Sequence, residues 1–481
     1  MSYELYGVDA QIVASVGATP VSTDTNLIFI GQSASGDLNK AYLITSMSDY
    51  AAKLGGTAGD GYNLSEAAIA AFQIAGINKV YMIPVSHSKD FSASDYTGDA
   101  ELYTGVYAIE KLLRDNPTAV NILCAPSVTD STVIAALDGI AKLAAGHWQS
   151  FMMYDLPEDA DQLNASNVAQ ADEIVEDKQL ADSHALAVWG HVKTSGGYVV
   201  SGAAVRACLQ AKSDANYGAP ARSGGNLQIP AIQGICISDK EVVECDAVTG
   251  SPGGATAVQP LKKDNSYIDY VDGVNYSIVS IVPTSGSITN PVLIDYEGKL
   301  ALQFTPPSDT VYNVTVTYQA IETLIVTIPE ATATELSADG VCSYNYYGNG
   351  VYYTWGDHPS IFAGGTVSDE ANRFDNSIRM LMMITNRFQL TWRFDIDNPM
   401  TLSMRNDVIT YELDKLNQLK SIGALIGDPV VEFRPDENST SEIQQGHFVW
   451  SFEVTSTIPA KYLKAEVAYT TAGLSVYTEG E

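Results

Sequence analysis

Between Asn26 and Gly190, short continuous apolar runs alternate with longer stretches in which apolar residues recur every three or four positions. NLIFIG (26–31), KVYMIPV (79–85), AVNILCAP (119–126), SFMMYDLP (150–157) and HALAVWG (184–190) are the continuous runs, the pattern of strands covered on both faces. Between them, LSEAAIAAFQIA (64–75) stops at Gly76 as a helix does, and YAIEKLLRD (107–115) and VIAALDGIAKLAAG (133–146) carry helical spacing. A strand, helix, strand rhythm of this kind predicts a largely parallel sheet covered by helices.

From about residue 241 to 329 the helical spacing vanishes. NYSIVSIVP, NPVLIDYEG, KLALQFTPP, VYNVTVTYQ and ETLIVTIPE succeed one another between turn clusters such as GSPGG, TSGS and PPSD, which predicts a small all-β sandwich inserted into the larger fold. After Ala331 the pattern is mixed again. Ser368 to Phe388 reads as a long helix, and Thr401 to Ile422 as a second one, with Ile409, Leu413, Leu416, Leu419 and Ile422 along one face, Pro399 just before it and Gly423 just after. VVEFRP (430–435), HFVWSFEVTST (447–457) and KAEVAYTT (464–471) read as strands, and residues 9–16 as a short extended segment ahead of a Gly/Thr/Pro/Ser linker. The expected fold class is α/β and α+β multidomain. Its expected parts are an N-terminal arm (1–24), an α/β domain (25–239), the inserted β domain (240–330), a mixed C-terminal domain (331–463) and a C-terminal arm (464–481).

Length and charge narrow the function. With 481 residues the chain exceeds one ordinary core, and 46% hydrophobic against 17% charged residues fits folded domains. A net charge of -31, from 57 acidic and 26 basic residues, argues against nucleic acid as a partner, because that binding runs on lysine and arginine. No apolar run reaches about 18 residues and the N-terminus lacks a basic then apolar leader, so neither membrane insertion nor secretion by a signal peptide is expected. Cys124, Cys208, Cys236, Cys245 and Cys342 form no CxxC pair, and the six histidines show no HExxH spacing; no metal site and no cofactor is expected.

Candidate chemistry is sparse. Gly31-Gln-Ser-Ala-Ser-Gly36 comes after an apolar strand as a phosphate loop would, but Asp37-Leu38 stands where the lysine and hydroxyl should be, so a strand-ending turn is the better reading. The acidic group Asp155, Glu158, Asp159 and Asp161 lacks the spacing of a calcium loop. No catalytic residues are assigned. One local feature stands out: five of nine arginines (Arg373, Arg379, Arg387, Arg393, Arg405) fall within 33 residues, a basic island that pairs either within the chain, with Asp375, Asp395 and Asp397, or with acidic neighbours at subunit contacts.

Three stretches in order resemble the tail sheath family of contractile phages and tailocins. They are NLIFIGQSASGDLNKAYLITSMSDYAAKLGG with the subsequent AGINKVYMIPV; NILCAPSVTDSTVIAAL with ACLQAKSDANYGAPARSGGN; and LSADGVCSYNYYGNGVYYTWGDHP, the Arg-bearing helix, Asp397-Asn398-Pro399 and GHFVWSFEVTSTIPAKYL. The resemblance leaves out about 240–330, where the family carries variable decorations. It implies a structural subunit, not an enzyme, that polymerises helically around a tail tube and contracts to drive the tube through a target envelope. It implies partners in the chain itself (stacked, hexameric rings), the tail tube protein, and baseplate and tail terminator proteins, with assembly in a bacterial host cytoplasm into a virion or particle tail. Family members exchange strands from both chain ends, which makes Ile12 and Val13, and Val467, Tyr469 and Leu474, the candidates for inter-subunit arms. The resemblance further implies a C-terminal domain that faces the tube, with the 401–422 helix as the expected contact and Lys415 and Lys420 as its candidate charge anchors, and an inserted β domain that faces outward. A nucleotide-dependent α/β enzyme with an appended β module is the alternative that the parallel-sheet rhythm supports. An adhesin is disfavoured by the lack of fibrous repeats, and type VI secretion sheaths by the single continuous chain.

Overall fold

The five apolar runs do become neighbouring strands. In the computed structural model, which describes residues 25–474 apart from 142–146, 158–173, 177, 179, 181–182, 231, 254–255, 272–273, 286, 309, 349 and 473, they are β1 (Thr25–Gln32), β3 (Val80–Ser86), β4 (Val120–Cys124), β5 (Phe151–Asp155) and β6 (Leu186–Val188), with a short β2 (Tyr42–Ile44) antiparallel on the β3 edge. The order is β2-β3-β1-β4-β5-β6, and every contact from β3 to β6 is parallel. β4 and β5 are buried along their whole length, as continuous apolar runs require. With the strand order β3-β1-β4-β5, the rule of right-handed crossovers assigns the helical segment Asn63–Ala75 to one face and Tyr107–Asp115 and Ser131–Ala141 to the other. Helix Gly202–Tyr217 packs beside 63–75 across the sheet and is buried at nearly every position through Asp214, so its alanines are there for close approach.

Val341–Tyr346 pairs parallel with β6 (Val341 with Ala187, Cys342 with Val188), so segments more than 150 residues apart complete one sheet. Chain leaving and chain returning also pair: Ile232–Glu244 and Tyr312–Val326 form an antiparallel ribbon of ten residue pairs, from Ile235 with Val326 to Glu244 with Thr317. At its far end a separate β core forms. Leu300, Leu302 and Phe304 from one sheet meet Val243, Val314, Val316 and Tyr318 from the other, and Phe304 stands edge-on to Tyr312 with centroids 5.1 Å apart. The five runs read from the sequence make four strands, because VYNVTVTYQ and ETLIVTIPE are one continuous strand, Tyr312–Val326; shorter ones, Val248–Gly250, Ala257–Pro260, Lys262–Lys263 and Ser266–Tyr267, accompany them.

A third core lies under the helices of the C-terminal part. Asp375–Trp392 and Leu402–Ser421, the latter capped by the Thr401 hydroxyl on Met404 N–H, bury Met380, Met383, Ile384, Leu416 and Leu419 against the two-stranded sheet Leu425–Glu432 with Ser451–Ser456. Asn386 fastens this layer to the amino ends of the parallel strands, donating to Ala119 O at 3.1 Å and Gln149 O at 2.8 Å and accepting from Gln149 N–H at 2.8 Å.

Several expectations need correction. KAEVAYTT (464–471) is not a strand: it has no pairing partner among the described residues and no repetitive structure. Of HFVWSFEVTST only Ser451–Ser456 pairs. The helix ending at Gly76 winds more loosely from Ile69 to Ala75, as a π-helix, a departure that apolar spacing does not encode. On the 401–422 helix Leu416 and Leu419 are buried and Ile409 and Leu413 pack partly, but Ile422 lies beyond the last turn and is exposed, while Val408 and Glu412 take interior places.

Candidate assembly surfaces and buried polar clusters

The most exposed apolar residues of the chain lie together. After Lys461 the chain runs without secondary structure through residue 470, and Tyr462 (80%), Leu463 (87%), Val467 (94%) and Tyr469 (85%) are almost wholly open to solvent, with Leu474 half exposed. Val467, Tyr469 and Leu474 are the residues the sequence singled out; Ile12 and Val13, their N-terminal counterparts, lie outside the described residues. The alternation Val467, Ala468, Tyr469 suits a strand, and no strand among the described residues pairs with it. Close to the root of this arm, the 425–432/451–456 sheet has only two strands among the described residues, with a bulge between Ile426 and Val430 around Gly427 (φ +72°). Two strands are marginal alone, and among the described residues no third strand pairs with either outer edge.

The basic island divides on the structure. Arg379 is fully buried, ion-paired with Asp214 and donating to Arg222 O at 2.9 Å; Arg387, also buried, lies 3.5 Å from Glu412. Arg373 pairs with Glu370 at the surface, Arg393 lies over Phe394 and Arg405 over Phe433. Of the three aspartates weighed as partners, Asp375 lies 3.9 Å from Arg379, whereas Asp395 accepts from Asn398. Two of the five arginines therefore spend their charge inside the subunit. Of the tube-facing candidates, Lys420 bonds Asp428 at 2.5 Å and Lys415 lies over the Tyr411 ring at 5.3 Å.

Two polar clusters, the first partly open to solvent with Ser127 exposed and the second buried, were not legible in the sequence. The first lies at the carboxyl ends of β4 and β5, beside the topological switch point between β1 and β4, where open α/β sheets commonly hold ligands. Ser127 (φ +56°) donates from Oγ to Glu66 Oε2 at 2.6 Å, with His191 Nε2 at 3.0 Å; Ser201 N–H donates to the same Glu66 oxygen, and Asp155 accepts from Ser127 N–H, Ser201 Oγ and Ala203 N–H. Burial pushes the Glu66 carboxyl up to about 7, despite His191 and the two hydrogen bonds that favour its charged form. Serine, histidine and glutamate are in contact here, with carboxyl and imidazole both on the hydroxyl, and the N–H of Ser127 is already taken by Asp155.

The Gly31–Gly36 turn is equally closed. Gln32 N–H donates to Asn63 Oδ1, Ser33 N–H to Ser86 O and Ser35 N–H to Leu54 O, so these amides cannot cradle a phosphate. A Cβ on Gly31 would meet Asn63 Oδ1 at 2.3 Å, so close approach of Asn63 is what glycine permits here. All five cysteines are buried and none is in a disulfide; among the described residues no cluster suits a metal ion and no helix is long and apolar enough to cross a membrane.

The second cluster joins five segments. Arg206 donates to Gly356 O at 2.9 Å and lies 3.7 Å from Asp375; Gly224 N–H donates to Asp375 at 3.1 Å; Gln210 donates to Asp214 at 2.8 Å; and Asp357 accepts from Ser223 and from Lys461 at the root of the C-terminal arm. Burial pushes the Asp214 carboxyl up to about 6, outweighing Arg379 beside it.

No protein-family model matches this sequence, and no curated protein matches it either. Its fold, by contrast, is matched by solved structures over nearly its whole length. A chain of the anti-feeding prophage (AFP) baseplate, 6-fold symmetrised, superposes with a TM-score of 0.57 at 14% identity, covering 98% of this chain and 100% of that one. The chain has the contractile sheath fold. A chain of the PVC sheath complex, an extracellular contractile injection system in its contracted state, matches at TM-score 0.57 and 12% identity (98% and 99% covered), and one of the AFP helical sheath in contracted state at 0.56 and 13% (98% and 100%). Sequence identity at this level establishes the sheath fold; the closed glycine turn and the hydroxyl-centred polar cluster are how this sheath-fold chain fills the places where other α/β proteins bind ligands.

Proposed function

We propose that this chain is a structural sheath subunit of a contractile injection particle, which polymerises helically around a tail tube and contracts to drive it through a target envelope. The observation that carries the reading is the arm: a chain of sheath fold that leaves Leu463, Val467 and Tyr469 bare is built to bury them on another copy. The two-stranded sheet of 425–432 and 451–456 is the acceptor. An arm added to its edge gains backbone hydrogen bonds for affinity and alternating side chains for register, and the N-terminal segment with Ile12 and Val13 serves a further neighbour in the same way. Such a contact is heterologous, so it propagates into rings or helices and does not close as a dimer.

In the assembled particle the subunits stack as hexameric rings, with tube, baseplate and tail terminator proteins as partners, after assembly in a bacterial cytoplasm. The Leu402–Ser421 helix faces the tube, with Lys415 and Lys420 as its basic anchors, and the β core at the end of the ribbon points outward. Arg373, Arg393 and Arg405, the island's more accessible members, are its candidates for subunit contacts. Placing aspartate at both Val467 and Tyr469 tests the arm: sedimentation should show monomer under conditions where the parent chain forms large assemblies, with unchanged circular dichroism. Assembly at parent levels would refute it.

A further inference from the structure

The C-terminal arm is tied to the body at its root by charge. Asp357 is 1% exposed and sits among carboxylates and guanidiniums in the interior: Asp214 and Asp375 on one side of the balance, Arg206 and Arg379 on the other. Asp375 N–H donates to Asp357 O at 2.9 Å, and the Ser223 hydroxyl donates to its carboxylate. Three acids face two arginines, and the third positive charge is the ammonium of Lys461, which is ion-paired with Asp357 and lies 5.7 Å over the Phe374 ring. His358 next door does not supply that charge. Stacked on Phe362 at 3.9 Å and hydrogen-bonded to Arg373 O, it is held below the ordinary imidazole range by burial and is neutral at pH 7.

Just before the lysine the chain is fixed as well: Asn376 donates to Thr457 O at 2.6 Å, and the Thr457 hydroxyl to Ala221 O at 2.9 Å. Just after it, Tyr462 and Leu463 are exposed. We infer that Lys461 is the positioning residue of the C-terminal arm, its ammonium pinned by Asp357 so that the arm swings only from residue 462 onward. Withdrawing it would leave a buried carboxylate without its counter-charge, an arrangement that costs far more than an exposed pair. The free lever thus begins at Tyr462, and the stretch 462–474 alone reaches about 40 Å when extended at roughly 3.3 Å per residue. The wider consequence, that every copy delivers its arm from the same point, rests on the assembly reading above; the anchor itself does not.

Limited trypsin digestion of the full chain, with mass spectrometry of the products, reads the anchor directly, because Lys461–Tyr462 and Lys464–Ala465 are two lysyl bonds three residues apart. Cleavage after Lys464 should be at least about tenfold faster than after Lys461, since proteolysis tracks the open population and a charge-assisted buried bond must open first. Asp357→Asn should bring the two rates together. Should that variant fold poorly, Lys461→Met, a partly exposed change, gives the same test with chymotrypsin: cleavage after Tyr462 should rise relative to cleavage after Tyr469 while circular dichroism is unchanged. Equal tryptic rates in the parent chain, or a ratio that neither variant moves, would overturn the anchor. Assembly by a chain lacking 462–481 would instead overturn the arm reading and leave the anchor standing.

Discussion

Replacing Glu66 by glutamine should flatten the pH dependence of stability. The Glu66 carboxyl is held at about 7 against an ordinary 4.5, first by desolvation and then by the nearby Asp155 carboxylate, which together outweigh His191, the Ser127 hydroxyl and the Ser201 N–H. A folded pKa above the unfolded one means that the folded state binds the proton more tightly. Its stabilising contribution is therefore complete below pH 4.5 and is lost as pH rises through about 7. At 1.36 kcal/mol per unit the displacement is worth about 3 kcal/mol, and allowing for the part of the side chain that still meets solvent brings it to about 2 kcal/mol. Urea unfolding at half-unit steps from pH 5 to 8 should show the parent chain losing about that much, and Glu66→Gln losing correspondingly less. Asp214, raised to about 6 by the same cause, leaves a residual slope of the same sign in both proteins. Superimposable pH profiles for the two would refute the assignment of a buried, reluctant charge to this cluster.

Arg379→Ala removes the guanidinium beside Asp214 and should cost about 3–5 kcal/mol in urea at pH 7, with a smaller deficit at pH 5 where Asp214 can protonate; a loss under about 1 kcal/mol at both would count against the pairing. Leu416→Ala, at a fully buried position between the two C-terminal helices, should cost about 2–5 kcal/mol by the same measurement, and a value near zero would contradict the packing. Because Glu244 and Thr317 face each other on the ribbon, replacing 245–316 by Asn-Gly should close a hairpin and leave a folded chain that still assembles; failure of a soluble, folded deletion to assemble would sink the outward placement of the β core.

The parallel sheet was readable because its strands are buried on both faces, so that β4 and β5 stand in the sequence as unbroken apolar runs. The helix from Thr401 was readable for a different reason, Pro399 before it and Gly423 after it bracketing one apolar stripe. What escaped was everything decided by distant contacts. Nothing near Arg379 in sequence announces Asp214, nothing near Ser127 announces Glu66 or His191, and the partner of Lys461 is 104 residues away. The misread strand at 464–471 has a related cause: its alternation is real, but alternation specifies a face and not a neighbour, and no neighbour is present among the described residues.

The central claim is that the chain is built to polymerise. Negative-stain electron microscopy of the purified full-length chain, over a range of concentration and salt, tests it most directly. The account predicts stacked rings or hollow helical tubes, lost when residues 462–481 are removed. A monomer or small closed oligomer under every condition, with both chain ends verified intact by mass spectrometry, would contradict it.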